Sequence, residues 1–341
     1  MGTAIGELVE REEIALDFLN GRKVGVDSYN IIYQFLSSIR GQDGTPLMDS
    51  EGRVTSHLTG LLYRTVNLLE KGIKPVFIFD GEPHKLKSET IKERKKIRTE
   101  AIEKHEKALK EGKLEEAKKY GARALKLTDE MVEDAKKLLN YMGLPVVQAP
   151  SEGEEQISGM VASGDLYGCV SQDFDPLLFG CPILLRNIAI TGKRKVPNKD
   201  LYIEVNPEKV ELETLLKQLK INREKLIWLG ILIGTDFNEK FPRVGPKTAL
   251  ALVQKHNSFE GIIKETNHSP DFDYHEVEGI FLKPEFKKEY KIEFKLPEKD
   301  KVKDFLCRKH DFGEERVENA LNKLEAKASE KGEQSRLGQW T

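Results

Sequence analysis

The stretch VFIFDG, residues 76–81, decides the fold of this chain, because an uninterrupted apolar run ends there on a carboxylate. Short apolar runs bounded by turn residues are typical of buried strands in a parallel sheet. The same pattern recurs at residues 23–27 and 168–175, and both of these runs also end on acids. In open α/β sheets, ligands bind beyond the carboxyl ends of the strands. The three runs therefore predict a crevice in which several carboxylates meet.

The acids in question are Asp27, Asp80, Asp173 and Asp175. Any one of them could instead cap the next helix or lie in a turn. As a group they repel each other, since two unit charges 4 Å apart at an effective dielectric of 20 interact by about 4 kcal/mol. The cluster must be protonated, paired with bases or neutralised by metal. The runs contain no obvious basic partner, so divalent cations are the favoured prediction.

Composition bounds the class of protein. The chain has 341 residues, 38% hydrophobic and 33% charged, with a net charge of −2. It is long enough for one large domain or two modest ones. Its three cysteines (Cys169, Cys181 and Cys307) are irregularly spaced, which indicates a reducing compartment rather than a disulfide framework. Without a signal peptide or a membrane-length apolar run, we expect an intracellular protein with no membrane partner.

Helical periodicity predicts most of the remaining elements. Helices are expected at 28–39, 56–70, 131–142, 207–218, 222–233 and from the 241–248 turn to about 255, with a last helix over 314–328. A hairpin is expected within 183–205, turning around 191–195. The segment from Ser151 to Glu154 reads as a capping box. Alternatively, Glu152 and Glu154 supply carboxylates to the crevice.

A basic stretch follows Asp80 directly. Between 85 and 98 there are seven basic residues and two acids. Such a run is usually a solvated helical face, but its position here places it over the predicted crevice. Lys87 and Arg94 are seven residues apart and would share a helix face. A basic face above a metal site suits a phosphodiester substrate.

Two further segments suggest binding. The turn Gly245-Pro246-Lys247-Thr248 before a helix suits a phosphate held by backbone N–H groups, although Pro246 excludes a P-loop. The polar tail ends in Trp340, and an aromatic residue at such a place often contacts a partner. The alternative for the tail is a disordered end.

Taken together, these motifs resemble those of archaeal flap endonucleases, the structure-specific 5′ nucleases of the XPG type. The resemblance extends over essentially the whole chain. The matching stretches are VGVDSYNIIYQF, GIKPVFIFDGEP, APSEGEEQ, SQDFDPLLFG, ITGKRK, GTDFN and VGPKTAL. It implies an α/β fold, with a mostly parallel PIN-like nuclease sheet, a helical arch and a C-terminal helix-turn-helix-type DNA-binding region.

The resemblance assigns roles residue by residue. Two Mg²⁺ ions, replaceable by Mn²⁺, would be held by Asp27, Asp80, Glu152 and Glu154 on one side and by Asp173, Asp175 and Asp236 on the other. Lys87 and Arg94 would contact the scissile phosphate, and Tyr33 would stack on a base. DNA contacts are implied for Arg40, Arg64, Lys193, Arg194, Arg243, Gly245, Lys247 and Thr248. A sliding clamp would bind Gln334, Leu337 and Trp340.

The chain departs from the family pattern in several places, one of which is Pro176 directly after the pair of aspartates. Arg243 replaces a glycine of the phosphate-holding turn. This change brings the family's potassium-assisted binding of duplex DNA into question and suggests that Arg243 contacts a phosphate directly instead. Glu155 adds a carboxylate where a small residue is usual. The tail ends Trp340-Thr341 rather than with two aromatic residues, so we expect weaker clamp binding.

The resemblance also implies a division of the chain. The N-terminal nuclease region would be 1–84, the basic gateway or arch 85–130, the internal nuclease region 131–235, the helical duplex-binding region 236–328 and the clamp-binding tail 329–341. We expect a monomer in the archaeal cytoplasm near the nucleoid, or in the nucleus if the source is a eukaryote.

The function expected from this pattern is Mg²⁺-dependent hydrolysis of 5′ flaps, with 5′–3′ exonuclease activity, in lagging-strand maturation and base excision repair. One alternative is a relative that prefers bubbles or four-way junctions, which the short arch disfavours. The other is a non-catalytic adaptor for DNA junctions or the sliding clamp, which seven intact acids disfavour.

Overall fold

A seven-stranded sheet forms the centre of the molecule. The computed structural model describes residues 3–41, 45–124, 126–189, 192–195 and 202–337. The strands are β1 (Glu12–Glu13), β2 (Lys23–Asp27), β3 (Lys74–Phe79), β4 (Val146–Gln148), β5 (Gly168–Val170), β6 (Ile183–Arg186), β7 (Gly192–Lys195), β8 (Tyr202–Val205) and β9 (Glu208–Glu211). The sheet order is β1-β9-β6-β5-β2-β3-β4, while β7 and β8 form a separate antiparallel ribbon. Only the pairs made by β9 are antiparallel within the main sheet as described, so the expected mostly parallel α/β fold is confirmed.

Helices cover the sheet and extend beyond it. They are α1 (Ser28–Ser38), α2 (Ser56–Glu70), α3 (Ser88–Lys110), α4 (Leu114–Arg123), α5 (Asp129–Tyr141), α6 (Gly153–Ala162), α7 (Asp175–Leu178), α8 (Leu212–Leu219), α9 (Arg223–Ile233), α10 (Pro246–Lys255), α11 (Phe259–Thr266), α12 (Tyr274–Leu282), α13 (Lys299–Lys303) and α14 (Glu314–Leu337). A π-helical turn, Asp304–Arg308, follows α13. None of the helices in these described ranges combines the length and apolar character that crossing a bilayer requires.

The core divides into three apolar clusters. One lies under the sheet against α1, α2 and α5, and it also takes in apolar side chains of α13 and α14. A second gathers α7 to α12 around the fully buried Phe241 and Phe281. The third fills the space between the opposite sheet face and α6. Strand β3 contributes to two of them because its residues from Pro75 to Phe79 are buried on both faces, as expected for a central parallel strand.

Strand register brings the carboxyl ends together. In the parallel pair of β2 and β3, Asp27 lies opposite Ile78, two residues before Asp80. On the other side of β2, Val26 lies opposite Val170 of β5. Chain segments that leave these three strands therefore leave from the same edge of the sheet. The acids that follow the three strands therefore emerge at that edge.

The basic stretch forms a helical hairpin of α3 and α4. Ala101 and Ala108 of α3 and Ala117 of α4 are buried between the two helices, and small side chains there allow close packing. Arg40, at the end of α1, donates to the carbonyl of Gly121 at 3.3 Å. This bond ties the C-terminal part of α4 to the end of α1.

Four local predictions are wrong. Residues 192–195 form strand β7 rather than the turn of a hairpin, and 208–211 form β9 rather than the start of a helix. Glu152, not Ser151, occupies the N-cap position of α6. The last helix continues to Leu337. In the first two cases strand pairing overrides weak sequence periodicity, since partners in β8 and β6 supply the backbone hydrogen bonds.

Candidate active site

Asp27 ends strand β2 and begins helix α1. Its Oδ1 accepts a hydrogen bond from the backbone N–H of Asn30 at 3.1 Å, so the residue does cap the helix. Capping does not remove it from the crevice, because its pKa is raised by burial and then by the charges of Asp80, Asp173 and Glu152. The residue therefore caps α1 and also lies near enough to the other acids for their charges to act on it.

Asp80 reaches the start of α6. Its Oδ1 accepts a hydrogen bond from the N–H of Gly153 at 2.8 Å. A Cβ on Gly153 would lie 2.7 Å from that oxygen, so the close approach requires glycine. The contact places Asp80 beside the two residues that flank Gly153, Glu152 and Glu154.

Glu154 and Asp173 are joined through a serine. Ser171 donates from Oγ to Oε1 of Glu154 at 2.6 Å and accepts the backbone N–H of Asp173 at 3.1 Å. Asn30 donates from Nδ2 to Oδ2 of Asp173 at 3.0 Å. Ser171 and Asn30 were not singled out from the sequence, although both lie inside motifs that were.

Asp175 lies at the start of α7 and is bound by the N-terminal segment. Its Oδ1 accepts two hydrogen bonds from Thr3, one from the backbone N–H at 2.7 Å and one from Oγ1 at 2.5 Å. Thr3 is 172 residues away in sequence, and no sequence pattern marks it. The contact is visible only in the tertiary structure.

Asp236 is the acid that contacts two cations of the basic stretch. Arg94 of α3 lies 2.5 Å from its Oδ1 through Nη2, and Lys87 lies 3.4 Å from its Oδ2 through Nζ. Lys87 also forms an ion pair with Glu152. Thr90 donates to the backbone carbonyl of Asp236 at 2.9 Å. The structure thus brings Lys87 and Arg94 to the acids, as predicted, although Lys87 lies in the 3₁₀ turn that precedes α3.

The charges of the cluster act on one another. Burial, followed by the charge of Glu152, raises the pKa of Asp80 to about 6. Burial also raises the pKa of Asp175 to about 6, against the opposing effect of its hydrogen bonds from Thr3. The pKa of Glu154 is raised by burial and by Asp27. Burial alone would lower the pKa of Lys87, but the charges of Glu152 and Asp236 outweigh it and raise that pKa.

The donor set fits divalent cations. Burial and the charges of neighbouring acids, including Glu152, Asp173 and Asp236, raise the pKa values of Asp27, Asp80, Glu154 and Asp175, so the seven carboxylates lie close enough to act on one another. Oxygen ligands of this kind are those that Mg²⁺ and Mn²⁺ prefer. Across the described ranges, no three Asp, Glu, His or Cys side chains are gathered as around a single ion. Lys87 and Arg94 instead take up the carboxylates of Glu152 and Asp236.

Comparison with known proteins decides the family. The family model for the XPG N-terminal domain matches residues 4–101, and that for the XPG I-region matches residues 143–236. Flap endonuclease 1 of Pyrococcus abyssi is 51% identical over 341 residues, which covers 100% of this chain and 98% of the relative. This chain belongs to the flap endonuclease family. It therefore functions as a flap endonuclease, an enzyme that hydrolyses DNA.

Further relatives agree with this assignment. Flap endonuclease 1 of Pyrococcus furiosus is 50% identical, with 100% of this chain and 99% of the relative covered. The solved structure of flap endonuclease-1 from Methanococcus jannaschii shares 38% identity and a TM-score of 0.77 over 97% of this chain and all of that one. The catalytic core of Rad2, solved with a DNA substrate, shares the fold at 23% identity and a TM-score of 0.68. Members of this family use divalent metal ions.

The DNA contacts expected for a flap endonuclease lie in several places. Tyr33 is on α1 and is 39% exposed. Arg40 and Arg64 are half-buried, and Arg40 binds carbonyls at the end of α1 and in α4. Around the start of α10, four of the expected contact residues are exposed: Arg243, Gly245, Lys247 and Thr248.

Two groups of predicted residues fall beyond what the structure describes. The side chains of Lys193 and Arg194, in β7, lie outside its described part, and so do those of Gln334 and Leu337. Trp340 lies outside it entirely.

Glu155 is hydrogen-bonded to a backbone group of a later segment. Its Oε1 accepts the backbone N–H of Glu285 at 2.5 Å, and burial raises its pKa to about 7. The next residue, Gln156, forms two hydrogen bonds with the backbone of Lys287. The additional acid therefore holds an irregular segment against α6 rather than joining the seven.

Proposed function

We propose that this flap endonuclease cuts DNA at 5′ flaps with two Mg²⁺ ions, for which Mn²⁺ can substitute, and that it also degrades 5′ ends exonucleolytically. One ion would be held by Asp80, Glu152 and Glu154, with Asp27 close by. The other would be held by Asp173, Asp175 and Asp236. Bound in this way, the two ions would lower the pKa of a water molecule and offset charge on the reacting oxygens.

The observation that carries the proposal is the pairing of Lys87 and Arg94 with Asp236. Both cations already hold an anionic group, the carboxylate of Asp236. A phosphodiester is an anion of the same charge. When it enters, the two side chains can exchange the carboxylate for the phosphate oxygens and so orient it over the acids.

Tyr33 would hold the nucleotide next to the cut. Its ring is partly exposed on α1, the helix that starts at Asp27. A stacked duplex would keep the scissile phosphate away from the acids, so the terminal base must leave its pair. Stacking on an aromatic ring contributes about 1–3 kcal/mol per base, which offsets part of that cost.

The proposed duplex contacts follow the arrangement of the helices. Residues 85–130 would form the gateway for the flap, between the nuclease regions 1–84 and 131–235. Residues 236–328 would grip the duplex through Arg243, Gly245, Lys247 and Thr248, with the N-terminus of α10 offering backbone N–H groups to a phosphate. Arg40, Arg64, Lys193 and Arg194 would add further DNA contacts.

The proposed partner is a sliding clamp of the replication machinery, bound through Gln334, Leu337 and Trp340 in the tail 329–341. Such a ring would recruit a monomeric enzyme to flaps during lagging-strand maturation and base excision repair. The test is a binding titration of a purified clamp against the full chain and a Leu337→Ala/Trp340→Ala variant. We expect at least tenfold weaker binding by the variant and unchanged cleavage of free DNA. Equal binding by both proteins would remove the clamp from the proposal.

The nuclease proposal is tested with a labelled 5′-flap duplex and a Mg²⁺ titration. We expect Mg²⁺-dependent release of the flap by the wild type, and a loss of at least a hundredfold in Asp173→Asn with DNA binding retained. Glu213→Gln is the matched control, because Glu213 is exposed on α8 and pairs with Lys217 one helical turn away. Metal-independent cleavage, or full activity in Asp173→Asn, would contradict the proposal.

A further inference from the structure

Thr3 makes a two-point contact with one oxygen of Asp175. The threonine is 3% exposed and the aspartate 8% exposed, so both hydrogen bonds are shielded from water. The backbone N–H and the hydroxyl both donate to Oδ1, at 2.7 and 2.5 Å. A carboxylate held by two donors on one oxygen cannot rotate without losing both bonds.

The N-terminal segment is packed firmly enough to hold Thr3 in place. Ile5 and Val9 are buried in the same apolar cluster as Phe174, the residue before Asp175. Gly6 passes so close to Phe174 that a Cβ there would lie 2.7 Å from the ring. The backbone N–H of Ile5 also donates to the carbonyl of Thr3 at 2.9 Å. The segment and the start of α7 therefore behave as one packed unit.

We propose that the hydroxyl of Thr3 is a positioning group that orients the carboxylate of Asp175 toward a divalent cation. Both hydrogen bonds end on Oδ1, so Oδ2 is the oxygen that would bind the cation. A group that hydrogen-bonds a metal-binding side chain in this way fixes the orientation of that side chain. Loss of such a group typically weakens metal affinity ten- to a hundredfold. The inference rests on the proposed function, in which Asp175 is a ligand.

The hydroxyl can be removed without disturbing the backbone contact. Thr3→Val keeps the shape of the side chain and the N–H donor, whereas Thr3→Ser keeps the hydroxyl and loses a methyl group. The probe is Mn²⁺ alone, titrated into the full-length, DNA-free protein and followed by electron paramagnetic resonance. Cleavage of a 5′-flap duplex at varied Mg²⁺ concentration gives a second measurement, and thermal unfolding shows whether each variant is folded.

We expect Thr3→Val to bind Mn²⁺ about tenfold more weakly at one site and to need correspondingly more Mg²⁺ for cleavage, with an unchanged KM for DNA. Thr3→Ser should stay within twofold of the wild type. Wild-type Mn²⁺ affinity in a folded Thr3→Val would overturn the inference while leaving the proposed function intact. Asp175→Asn separates the two ideas: if it binds Mn²⁺ with the full wild-type stoichiometry and affinity, Asp175 is not a ligand, and the proposed site fails together with the inference.

Discussion

Arg94 and Asp236 lie 142 residues apart in sequence, yet Nη2 of the arginine stands 2.5 Å from Oδ1 of the aspartate. The arginine belongs to α3, and the aspartate follows α9. Lys87 makes a parallel link from the base of the arch to Glu152. The side chains proposed to bind phosphate are therefore paired with carboxylates proposed to bind metal.

This arrangement predicts opposite effects of one substitution on metal binding and on catalysis. Lys87→Met keeps the side-chain length but removes the charge. We expect cleavage of a 5′ flap to fall by about 10²–10³, because a preorganised cation at the phosphate is lost. Mn²⁺ affinity of the DNA-free protein should rise, since Glu152 and Asp236 lose a competing cation. Lys95→Met, on the exposed part of α3, is the control; a fall in Mn²⁺ affinity for Lys87→Met would contradict the prediction.

Asp80→Asn should stabilise the metal-free protein while it abolishes activity. The pKa of Asp80 is raised to about 6, so its ionised form costs stability at every pH above 6, and this cost disappears below about pH 4. We expect a gain of about 1–3 kcal/mol in the free energy of unfolding at pH 7.5 with a chelator present. The gain should vanish near pH 4. Asp17→Asn, at an exposed surface pair, should change stability by less than about 0.5 kcal/mol. An unchanged free energy of unfolding for Asp80→Asn at pH 7.5 would contradict the prediction that the ionised Asp80 destabilises the metal-free protein.

Gln156 should anchor the segment that crosses the back of α6. Its side chain is fully buried, with Nε2 donating to the carbonyl of Lys287 at 3.0 Å and Oε1 accepting the N–H of that residue at 2.8 Å. Gln156→Leu leaves two backbone groups unpaired and should cost about 2–4 kcal/mol of unfolding free energy. Hydrogen exchange at the amide of Lys287 should accelerate. Glu155→Gln, which still accepts the N–H of Glu285, is the control expected to retain protection there.

The buried His57 should lower the free energy of unfolding as the solution is acidified. Its ring is 1% exposed, and among the described residues neither ring nitrogen has a hydrogen-bond partner. Burial lowers its pKa to about 4, although Asp134 opposes this shift. The unfolded chain takes up this proton near pH 6.5, so the contribution to stability is complete above that pH and falls as pH decreases toward 4.

The expected size of this effect is about 3 kcal/mol between pH 6.5 and 4. In His57→Leu this part of the pH dependence of denaturant unfolding should disappear. His275→Leu alters an exposed histidine and should leave the pH profile unchanged. Identical profiles for the wild type and His57→Leu would exclude His57 as the source of the dependence.

Arg243 has the left-handed backbone conformation that favours glycine, with φ of 62°. The strain costs about 1 kcal/mol, so Arg243→Gly should raise the free energy of unfolding by up to that amount. The same change should weaken binding to duplex DNA and reduce the slope of log affinity against log salt by about one, if Arg243 contacts a phosphate. Ala251→Gly, at an exposed position inside α10, should instead lower stability by about 1 kcal/mol. An unchanged slope of log affinity against log salt would show that Arg243 does not contact a DNA phosphate in place of the family's potassium-assisted binding.

Much of the candidate site follows from the sequence because it is local in origin. An acid placed directly after a buried strand must lie at the carboxyl edge of the sheet, and parallel pairing then brings Asp27, Asp80 and Asp173 to one place. Glu152 and Glu154 are equally constrained, since they lie at the start of the helix that follows β4. Weak alternation of apolar and polar residues was less informative. The segments around β7 and β9 were assigned wrongly, because strand partners elsewhere in the chain decide whether such a segment becomes a strand.

The sequence by itself determined where the carboxylates emerge and which basic residues follow them. Only the tertiary structure decided that Lys87 and Arg94 rest on Glu152 and Asp236 and that Thr3 orients Asp175. These contacts join segments up to 172 residues apart. Their geometry depends on how the arch, the N-terminal segment and α7 pack on the sheet, and packing between distant segments leaves no periodic signal in a single chain.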